Sequence, residues 1–569
     1  MKKEKILLML LPFWAPQIPS LGMACLKSFL QRYGYRVKTV DANTEVNFNN
    51  IYHQYFDAVK EYVPEARSGN FYKIGYELMR HHMLAFIHRK EKEETDYLDV
   101  LKILIRTTYY IEADEHLVLE LDQMIRKFFE ELETYFLRLF EKENPDVLGI
   151  SVYSDTLASS LFAFQLAKQS NPGIRTIMGG GVFTTDLAVG TPNLELFLEK
   201  VDYIDKILVG EGEHLFLKYL EGHLPNEQKL FTLKDINNNV LDLSLADIPD
   251  FADFNLSYYP NLTAYTSRSC PFQCEFCTER QHWGKFRKKN AEKVVEELVT
   301  LYRRHNIQLF LMSDSLLNPV VTDLSSHLIE EDVSIYWDGH FRVDRFACDT
   351  EYTMLWRRGG FYRARLGIES GSQKVLDLMN KKTTIQQVKS AVSNLAHAGI
   401  KTTTFWVIGF PGETEADFRQ TLNLVEEMAD DIFEADCSPF WYHLNTQAGD
   451  NKWVDKSMPL YPELARDMIM LQTWHLDIEP RREETYRRMC RFVEHLKRLG
   501  IPSPYSLQDF HKADLRWMDL HKNAVPPLVQ FANKNTQINE NKNVKEWVVA
   551  QKRFTDDGAF GFKGGNYAR

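Results

Sequence analysis

Short apolar runs alternate with amphipathic segments over two long stretches of the chain. In residues 1–225, five runs have the length and apolar content of buried strands; they are 6–11, 36–40, 147–152, 176–178 and 206–209. The segments between them, such as 21–33 and 157–168, carry apolar residues at helical spacing. Because strands and helices alternate, the pattern predicts an α/β domain with a doubly wound parallel sheet.

Residues 45–143 interrupt this alternation. They contain one proline, Pro64, and many charged and aromatic residues, with apolar side chains at helical spacing such as Leu117, Leu121, Ile125 and Phe128. We interpret this segment as a helical insertion into the first domain.

A second strand–helix series follows residues 226–260, which are rich in Pro, Asn and Asp and are expected to form a linker. Its six apolar runs are 262–266, 309–312, 334–337, 364–368, 402–408 and 435–438. Six such units within 261–448 predict a partial (βα)6 barrel, with its functional residues at the carboxyl ends of the strands. Residues 449–569 are polar and aromatic, and are expected to form a mostly helical substrate or cap region.

Composition and charge narrow the class of protein. The 569 residues exceed what one hydrophobic core holds, and 44% hydrophobic with 26% charged residues is typical of a folded chain. The net charge of −11 and the isoelectric point near 5.9 argue against a nucleic-acid partner. No apolar run is long enough to span a membrane, and Pro12, Pro16 and Pro19 interrupt the apolar N-terminus, so we expect a cytoplasmic protein.

The predicted strands of the first domain end in small and polar residues. Parallel sheets bind ligands in the crevice at these carboxyl ends, and glycine there lets a bulky ligand approach the backbone. Tight turns alone would also explain the glycines. The candidate ligand-binding residues are Ser20, Leu21, Gly22, Ser151, Tyr153, Ser154, Gly180, Gly181, Gly210 and Glu211.

Three of the seven cysteines, Cys270, Cys274 and Cys277, lie within eight residues directly after the first predicted barrel strand. Thiolates at this spacing favour an iron–sulfur cluster or zinc. A structural zinc site needs a fourth ligand, for which His282 is the candidate, and thiols without a metal are the third alternative. A cluster held by three cysteines leaves one iron without a protein ligand.

The pattern Cys-x-x-x-Cys-x-x-Cys, with Phe276 before the last cysteine, resembles the signature of the radical S-adenosylmethionine (SAM) enzymes. Further along the chain, 366–372 resembles their fourth-strand motif, 404–414 resembles their fifth, and 310–318 occupies the position of their second. The usual Gly-Gly-Glu of the second strand is replaced here by Met312-Ser313-Asp314.

This resemblance implies a [4Fe–4S] cluster held by Cys270, Cys274 and Cys277, whose open iron binds the amino and carboxylate groups of SAM. It also implies which residues contact SAM: Phe276, Ile408, Gly409 and Phe410 near the adenine, Glu369 and Ser370 near the ribose or methionine, and Ser313 and Asp314 near the amino group.

The first domain is similar to the cobalamin-binding domain that precedes the barrel in one subclass of these enzymes. The similarity rests on 18–24, Asp41, the triple glycine at 179–181 and the Gly-Glu-Gly-Glu at 210–213, and it implies that the candidate ligand-binding residues of this domain contact cobalamin. The Asp-x-His-x-x-Gly motif, whose histidine ligates cobalt, is absent; its nearest counterpart, at 114–116, lies in the helical insertion. Members of this subclass often lack that histidine.

The two resemblances imply a radical SAM enzyme that reductively cleaves SAM to start radical chemistry on an unactivated carbon. Cobalamin-dependent C-methylation in natural-product or peptide biosynthesis is the expected outcome, with epimerisation, cyclisation or rearrangement without methyl transfer as the alternative. A zinc-stabilised interaction protein is the alternative of another class. Transfer RNA methylthiolation is disfavoured, because the first 225 residues contain only one cysteine, Cys25.

The same resemblance implies the partners of the chain. They are a small-molecule or peptide substrate and an electron donor of the ferredoxin or flavodoxin type. Tyr442, His443 and Asn445, just past the last predicted barrel strand, are expected to line the substrate site.

Overall fold

The computed structural model describes residues 3–13, 18–45, 48–64, 71–89, 93–259, 261–503 and 507–521. Two six-stranded parallel sheets dominate it, which confirms the α/β class. The first sheet consists of β1 (Lys5–Leu10), β2 (Arg36–Asp41), β3 (Val147–Ser151), β4 (Arg175–Gly179), β5 (Lys206–Val209) and β6 (Leu230–Thr232).

The strand order of the first sheet is β2-β1-β3-β4-β5-β6. Because the order reverses between β1 and β3, the carboxyl ends of these two strands flank a crevice at the switch point. The helices that cover the sheet are Leu21–Arg32, Leu157–Ser170, Pro192–Lys200 and Gly212–Leu220. Strand β6 falls inside the segment that was expected to be a linker.

The helical insertion between β2 and β3 is confirmed. Its helices are Asn49–Tyr62, Phe71–His88, Glu94–Tyr109 and Glu115–Glu143, after a single turn at Ala42–Glu45. Asp114 caps the last of them by accepting a hydrogen bond from the Leu117 amide at 2.8 Å. The Asp-x-His fragment at 114–116 therefore begins a helix of the insertion.

The second sheet is followed from β7 (Leu262–Ala264) through a short hairpin of β8 (Ser267–Arg268) and β9 (Arg287–Lys288). Its other strands are β10 (Leu309–Met312), β11 (Tyr336–Arg342), β12 (Phe361–Glu369), β13 (Lys401–Ile408) and β14 (Glu434–Pro439). The strand order is β14-β13-β12-β11-β10-β7, with every pairing parallel, so the sheet forms the partial barrel. The helices of the barrel are Glu279–Trp283, Ala291–His305, Val321–Glu330, Thr350–Arg358, Gln373–Leu378, Ile385–His397 and Glu415–Glu427.

The described part of the C-terminal region, 449–503 and 507–521, is mostly helical, as expected, with helices Glu463–Ile469, Arg482–Arg498 and Leu507–Leu520. It also contains a small antiparallel hairpin of β15 (Ser457–Pro459) and β16 (Trp474–Leu476). Within the part of the chain that the structure describes, no helix is both long and apolar enough to cross a membrane.

Candidate functional site

A cavity of about 660 Å³ lies between the carboxyl edge of the first sheet and the mouth of the barrel. On the sheet side it is lined by Ser20, Leu21, Gly22, Ser151, Tyr153, Gly180, Gly181, Gly210 and Glu211, among others. On the barrel side it is lined by Tyr265, Ser267, Ser269, Glu279, His282, Trp283, Ser313, Asp314, Ser315 and His340. Ser154 is not among the lining residues and begins a short 3-10 turn. The structure thus brings nearly all predicted first-domain residues to one cavity and adds two predicted barrel residues, Ser313 and Asp314.

The sheet side of the cavity is bare backbone where the glycines stand. Gly180 has φ +114°, and a Cβ there would lie 2.5 Å from the backbone nitrogen of Val152. A Cβ on Gly181 would lie 2.8 Å from the Tyr153 ring, whereas one on Gly22 would meet no atom within 4 Å. Turn geometry therefore explains why residue 180 is a glycine. At Gly22 the space beside the backbone is open, so a bulky ligand can approach the backbone there.

Arg268 joins the two sides of the cavity. Its Nη1 lies 2.5 Å from Glu211 Oε2 and its Nη2 lies 2.5 Å from Glu213 Oε1, and Arg287 also pairs with Glu211. Burial raises the pKa of Glu213, but the adjacent Arg268 outweighs it, so the pKa of this carboxyl lies below its usual range. The Gly-Glu-Gly-Glu turn thus anchors the first domain to the loop that carries the cysteines.

The cysteine loop connects the two antiparallel strands of the β8–β9 hairpin. Ser269, with φ +74°, donates a hydrogen bond to the carbonyl of Gly284 at 2.7 Å, which closes the loop at its base. The Asn380 side chain donates to the Gln273 carbonyl at 2.8 Å, and the Gln447 side chain donates to the Phe276 carbonyl at 2.9 Å. The loop is therefore closed at its base by its own backbone and fixed by two other segments, those of Asn380 and Gln447.

The thiols are half-buried or buried, and burial raises the pKa of Cys277 to about 12 and that of Cys270 above its usual value. Arg342 Nη1 donates to Cys274 Sγ at 3.3 Å, which places a positive charge beside the thiols. Among the described residues, no three Cys, His, Asp or Glu side chains are grouped as ligands of a single metal ion, as a structural zinc requires. An iron–sulfur cluster instead takes each thiolate on a different iron, so the three soft donors and the adjacent cation fit it.

Asp314 organises the start of the same loop. Its carboxylate accepts hydrogen bonds from the Thr266 hydroxyl and the Ser267 hydroxyl, each at 2.6 Å, and from the Thr266 amide. Burial raises the pKa of this carboxyl. Asp314 therefore both lines the cavity and holds the backbone that leads to Cys270.

Glu369 and Ser370 are not among the residues that line the cavity. Glu369 adopts φ +70° and accepts a hydrogen bond from Lys381 Nζ at 2.6 Å. Ser370 is fully buried, and its hydroxyl accepts from the Ser372 amide and lies 3.3 Å from the Thr421 hydroxyl. The contacts of these two residues shape the turn after β12.

Phe276 and Phe410, both predicted to lie near adenine, belong to one apolar cluster with Tyr442 and Trp453. Two backbone groups predicted for the same contact already have protein partners. The Ile408 carbonyl accepts from the Phe440 amide at 2.8 Å, and the Gly409 amide donates to the Glu413 carboxylate at 3.1 Å.

Tyr442 and His443 line a separate cavity of about 40 Å³, where the insertion contributes Glu77 and the first domain contributes Asp186. The Asn445 side chain donates to the Gly190 carbonyl at 3.4 Å. These residues lie where the insertion, the first domain and the C-terminal region meet, and they are not among those that line the larger cavity.

Several residues of the larger cavity were not singled out as cavity residues from the sequence: Cys25, Glu213, Arg268, Glu279, His282, Trp283 and His340. Burial lowers the pKa of His282 and of His340 to about 4, so both imidazoles are neutral at pH 7. Burial also raises the pKa of Glu279, whose carboxylate accepts a hydrogen bond from Ser315. Asp338, His340 and Arg342 stand at every second position of β11, so their side chains share one face of the strand. This spacing of polar residues in a strand is the sequence signal that could have identified His340.

Residues 264–425 match the model of the Radical SAM superfamily, which confirms the radical SAM domain. The anaerobic magnesium-protoporphyrin IX monomethyl ester cyclase of Rubrivivax gelatinosus is 25% identical over 316 residues, which cover 51% of this chain and 55% of that protein. An uncharacterized methyltransferase of Pyrococcus horikoshii is 27% identical over 314 residues, covering 51% and 66%. The chain therefore spans about half to two thirds of the length of these curated relatives.

The fold is shared over a longer span. The structure of the radical SAM methyltransferase TsrM of Kitasatospora setae, with cobalamin and a [4Fe–4S] cluster bound, aligns with a TM-score of 0.57 at 12% identity, covering 98% of this chain and 99% of that one. At this identity the likeness concerns the fold: a first sheet domain, a radical SAM barrel and a C-terminal region in the same order.

Proposed function

We propose that this chain is a cobalamin-dependent radical SAM enzyme that methylates an unactivated carbon of a natural-product or peptide substrate. The single cavity between the first sheet and the barrel mouth carries the proposal. A methyl donor held by the sheet and SAM held by the barrel must act on the same carbon, so their binding surfaces have to open onto one enclosed space.

The cluster, SAM and cobalamin supply, when bound, the one-electron cleavage of a sulfonium and a transferable methyl group. The chain would hold the cluster with Cys270, Cys274 and Cys277. The bare backbone at Gly22, with the turn at Gly180, would receive cobalamin. The cofactors of the similarly folded methyltransferase and the methyltransferase name of a curated relative support this assignment.

The remaining polar residues of the cavity would orient the bound molecules. Asp314 and Ser313 stand next to the cysteine loop, where the amino group of SAM is expected. Arg268, through Glu211 and Glu213, would keep the two binding surfaces at a fixed distance.

A radical SAM reaction without methyl transfer is the second candidate. The relative named as an ester cyclase favours it, because that relative matches 51% of this chain at 25% identity. The barrel side of the cavity would serve either reaction equally.

The test uses the full chain, reconstituted anaerobically with iron and sulfide and loaded with hydroxocobalamin. Dithionite and SAM labelled in its methyl group are added without any substrate. We expect label on the cobalamin together with slow release of 5′-deoxyadenosine. Release of 5′-deoxyadenosine with unlabelled cobalamin would remove the methyltransferase proposal and leave the second candidate, and protein without bound iron and sulfide would overturn both.

A further inference from the structure

Arg342 is a buried cation beside the cysteine loop, and the proposed function assigns it no role in holding or tuning a cofactor. It ends β11, on the same face of the strand as Asp338 and His340, and the residue is 5% exposed. Arginine is rarely buried to this extent unless its charge and its donors have partners.

Two contacts place its guanidinium against the loop. Nη1 donates a hydrogen bond to Cys274 Sγ at 3.3 Å, and the guanidinium carbon lies 4.0 Å from the centre of the Phe272 ring. The second terminal nitrogen, Nη2, is buried and has no hydrogen-bond partner among the described residues. An unsatisfied buried donor is costly, so this nitrogen is suited to an acceptor that the polypeptide does not supply.

The backbone of Arg342 is held in place from both sides. Asn318 Oδ1 accepts from the Arg342 amide, and Asn318 Nδ2 donates to the Arg342 carbonyl, each at 2.8 Å. The same Asn318 amide donates to Asp344 at 2.7 Å. The guanidinium therefore meets the cysteine loop from a fixed strand end.

We propose that Arg342 is a positioning residue for the iron–sulfur cluster: it donates hydrogen bonds to the Cys274 thiolate and to a sulfur of the cluster, and so raises the cluster's reduction potential. The inference rests on the cluster of the proposed function. Hydrogen bonds to the sulfurs and nearby positive charge stabilise the reduced cluster, which carries one more negative charge, more than the oxidised cluster. Nη1 and Nη2 would supply these bonds at a thiolate and at a sulfide.

The test is the midpoint potential of the reconstituted cluster in the full chain, measured by redox titration with electron paramagnetic resonance detection and without SAM. Arg342→Gln should shift the potential to more negative values. Arg345→Gln is the matched control, because it removes an exposed arginine three residues away that stacks on Phe346 at 4.6 Å. The control should keep the wild-type potential.

Two further variants cover the case in which Arg342→Gln fails to retain iron. Arg342→Lys keeps the charge but loses the planar pair of donors, so it should shift the potential less and in the same direction. Phe272→Leu removes the ring under the guanidinium at a position that is 38% exposed, and it should also give a smaller negative shift with the fold intact.

The outcomes separate this inference from the proposed function. A wild-type chain that binds no cluster would overturn both. A wild-type cluster whose potential is unchanged in Arg342→Gln, with SAM binding weakened instead, would overturn the inference and make Arg342 a ligand of SAM. Negative shifts in the Arg342 variants, with Arg345→Gln unchanged, would support it.

Discussion

The two sides of the cavity are built in opposite ways. The side formed by the first sheet combines bare backbone at Gly22 and Gly180 with apolar side chains such as Leu21, and its two carboxylates are paired with Arg268. The barrel side presents Asp314, His282 and His340, with the cysteine loop next to them. One side can recognise a large ligand by shape, whereas the other offers charges, imidazoles and thiols.

This difference determines which substitutions should matter on each side. On the sheet side, adding atoms removes the space for a ligand; on the barrel side, removing atoms deletes a ligand or a hydrogen bond. Arg268 belongs to both sides, because it links Glu211 and Glu213 to the base of the cysteine loop. Substitutions at the three places should therefore have separable effects.

The largest effect is expected from removing one thiol. Cys274→Ala should abolish cluster assembly and 5′-deoxyadenosine formation, because two cysteines cannot hold the three irons that need protein ligands. Iron and sulfide analysis of the reconstituted chain and product analysis would measure this. Cys348→Ala is the control, since its thiol bonds the Gln387 carbonyl at 3.4 Å, away from the loop. Cobalamin binding should survive in both variants, and its loss in Cys274→Ala would show that the two sides of the cavity are not independent.

The converse test fills the sheet side. Gly22→Phe should weaken cobalamin binding at least about a hundredfold, or ~2.7 kcal/mol, because the ring would occupy the open space beside the helix Leu21–Arg32. Gln31→Phe, on the exposed face of the same helix, is the matched control. Spectrophotometric titration with hydroxocobalamin measures both. The cluster content of Gly22→Phe should stay at the wild-type level. An unchanged affinity for cobalamin in this variant would mean that cobalamin binds elsewhere.

Breaking the link between the two sides should affect the stability of the fold and not the chemistry of either side. Arg268→Met leaves Glu211 and Glu213 buried without their shared partner, and should lower the free energy of unfolding by about 3–5 kcal/mol. Arg32→Met, which removes the exposed pair with Asp247, should cost at most about 1 kcal/mol. Thermal unfolding of the two variants compares them, and an equal loss in both would show that the buried pairs add nothing beyond a surface pair.

The same pair predicts a pH dependence with a definite sign. Because Arg268 holds the pKa of Glu213 below its usual range, the stabilisation is present above the usual glutamate pKa and is lost as pH falls through the lowered one. In Arg268→Met, burial is opposed only by a backbone hydrogen bond and by His214, so this pKa should rise, and the stability deficit should be largest at neutral pH and shrink on acidification. Unfolding transitions of both proteins, measured between neutral pH and pH 4, would show whether the deficit shrinks. A difference in stability that stays constant over this range would contradict the prediction.

The features that were predictable from sequence are those with local signatures. Each of these signatures lies within a few consecutive residues, as in the buried strands β1 and β5, the glycine turns and the cysteine spacing. Strand β6 escaped prediction because three residues in a polar segment carry no detectable period. The pairing of Arg268 with Glu213 joins positions 55 residues apart, and only the fold brings them together.

The same limit applies at the ends of the barrel strands. The motifs that follow β12 and β13 identified Ser370 and Gly409 as residues near SAM, and that assignment stays a prediction. The Ser370 hydroxyl meets Thr421, which lies 51 residues further along the chain and which no local motif reveals, whereas the Gly409 amide donates to Glu413 within the same motif. Ser313, by contrast, lines the cavity after β10, and its predicted contact with the amino group of SAM also stays a prediction.

The smallest expected effect distinguishes the end of β10, where Ser313 lines the cavity, from the end of β12, where Ser370 does not. Ser313→Ala should weaken SAM binding about fivefold, because one hydrogen bond from a neutral group contributes about 1 kcal/mol. Ser370→Ala should leave SAM affinity unchanged but lower stability by about 1–3 kcal/mol, since the buried Ser372 amide loses its acceptor. Calorimetric titration of the reconstituted chain with SAM, alongside thermal unfolding, measures both effects. Equal weakening of SAM binding in the two variants would mean that the turn after β12 also reaches the bound nucleoside, so the barrel side of the site would extend beyond the cavity toward Glu369.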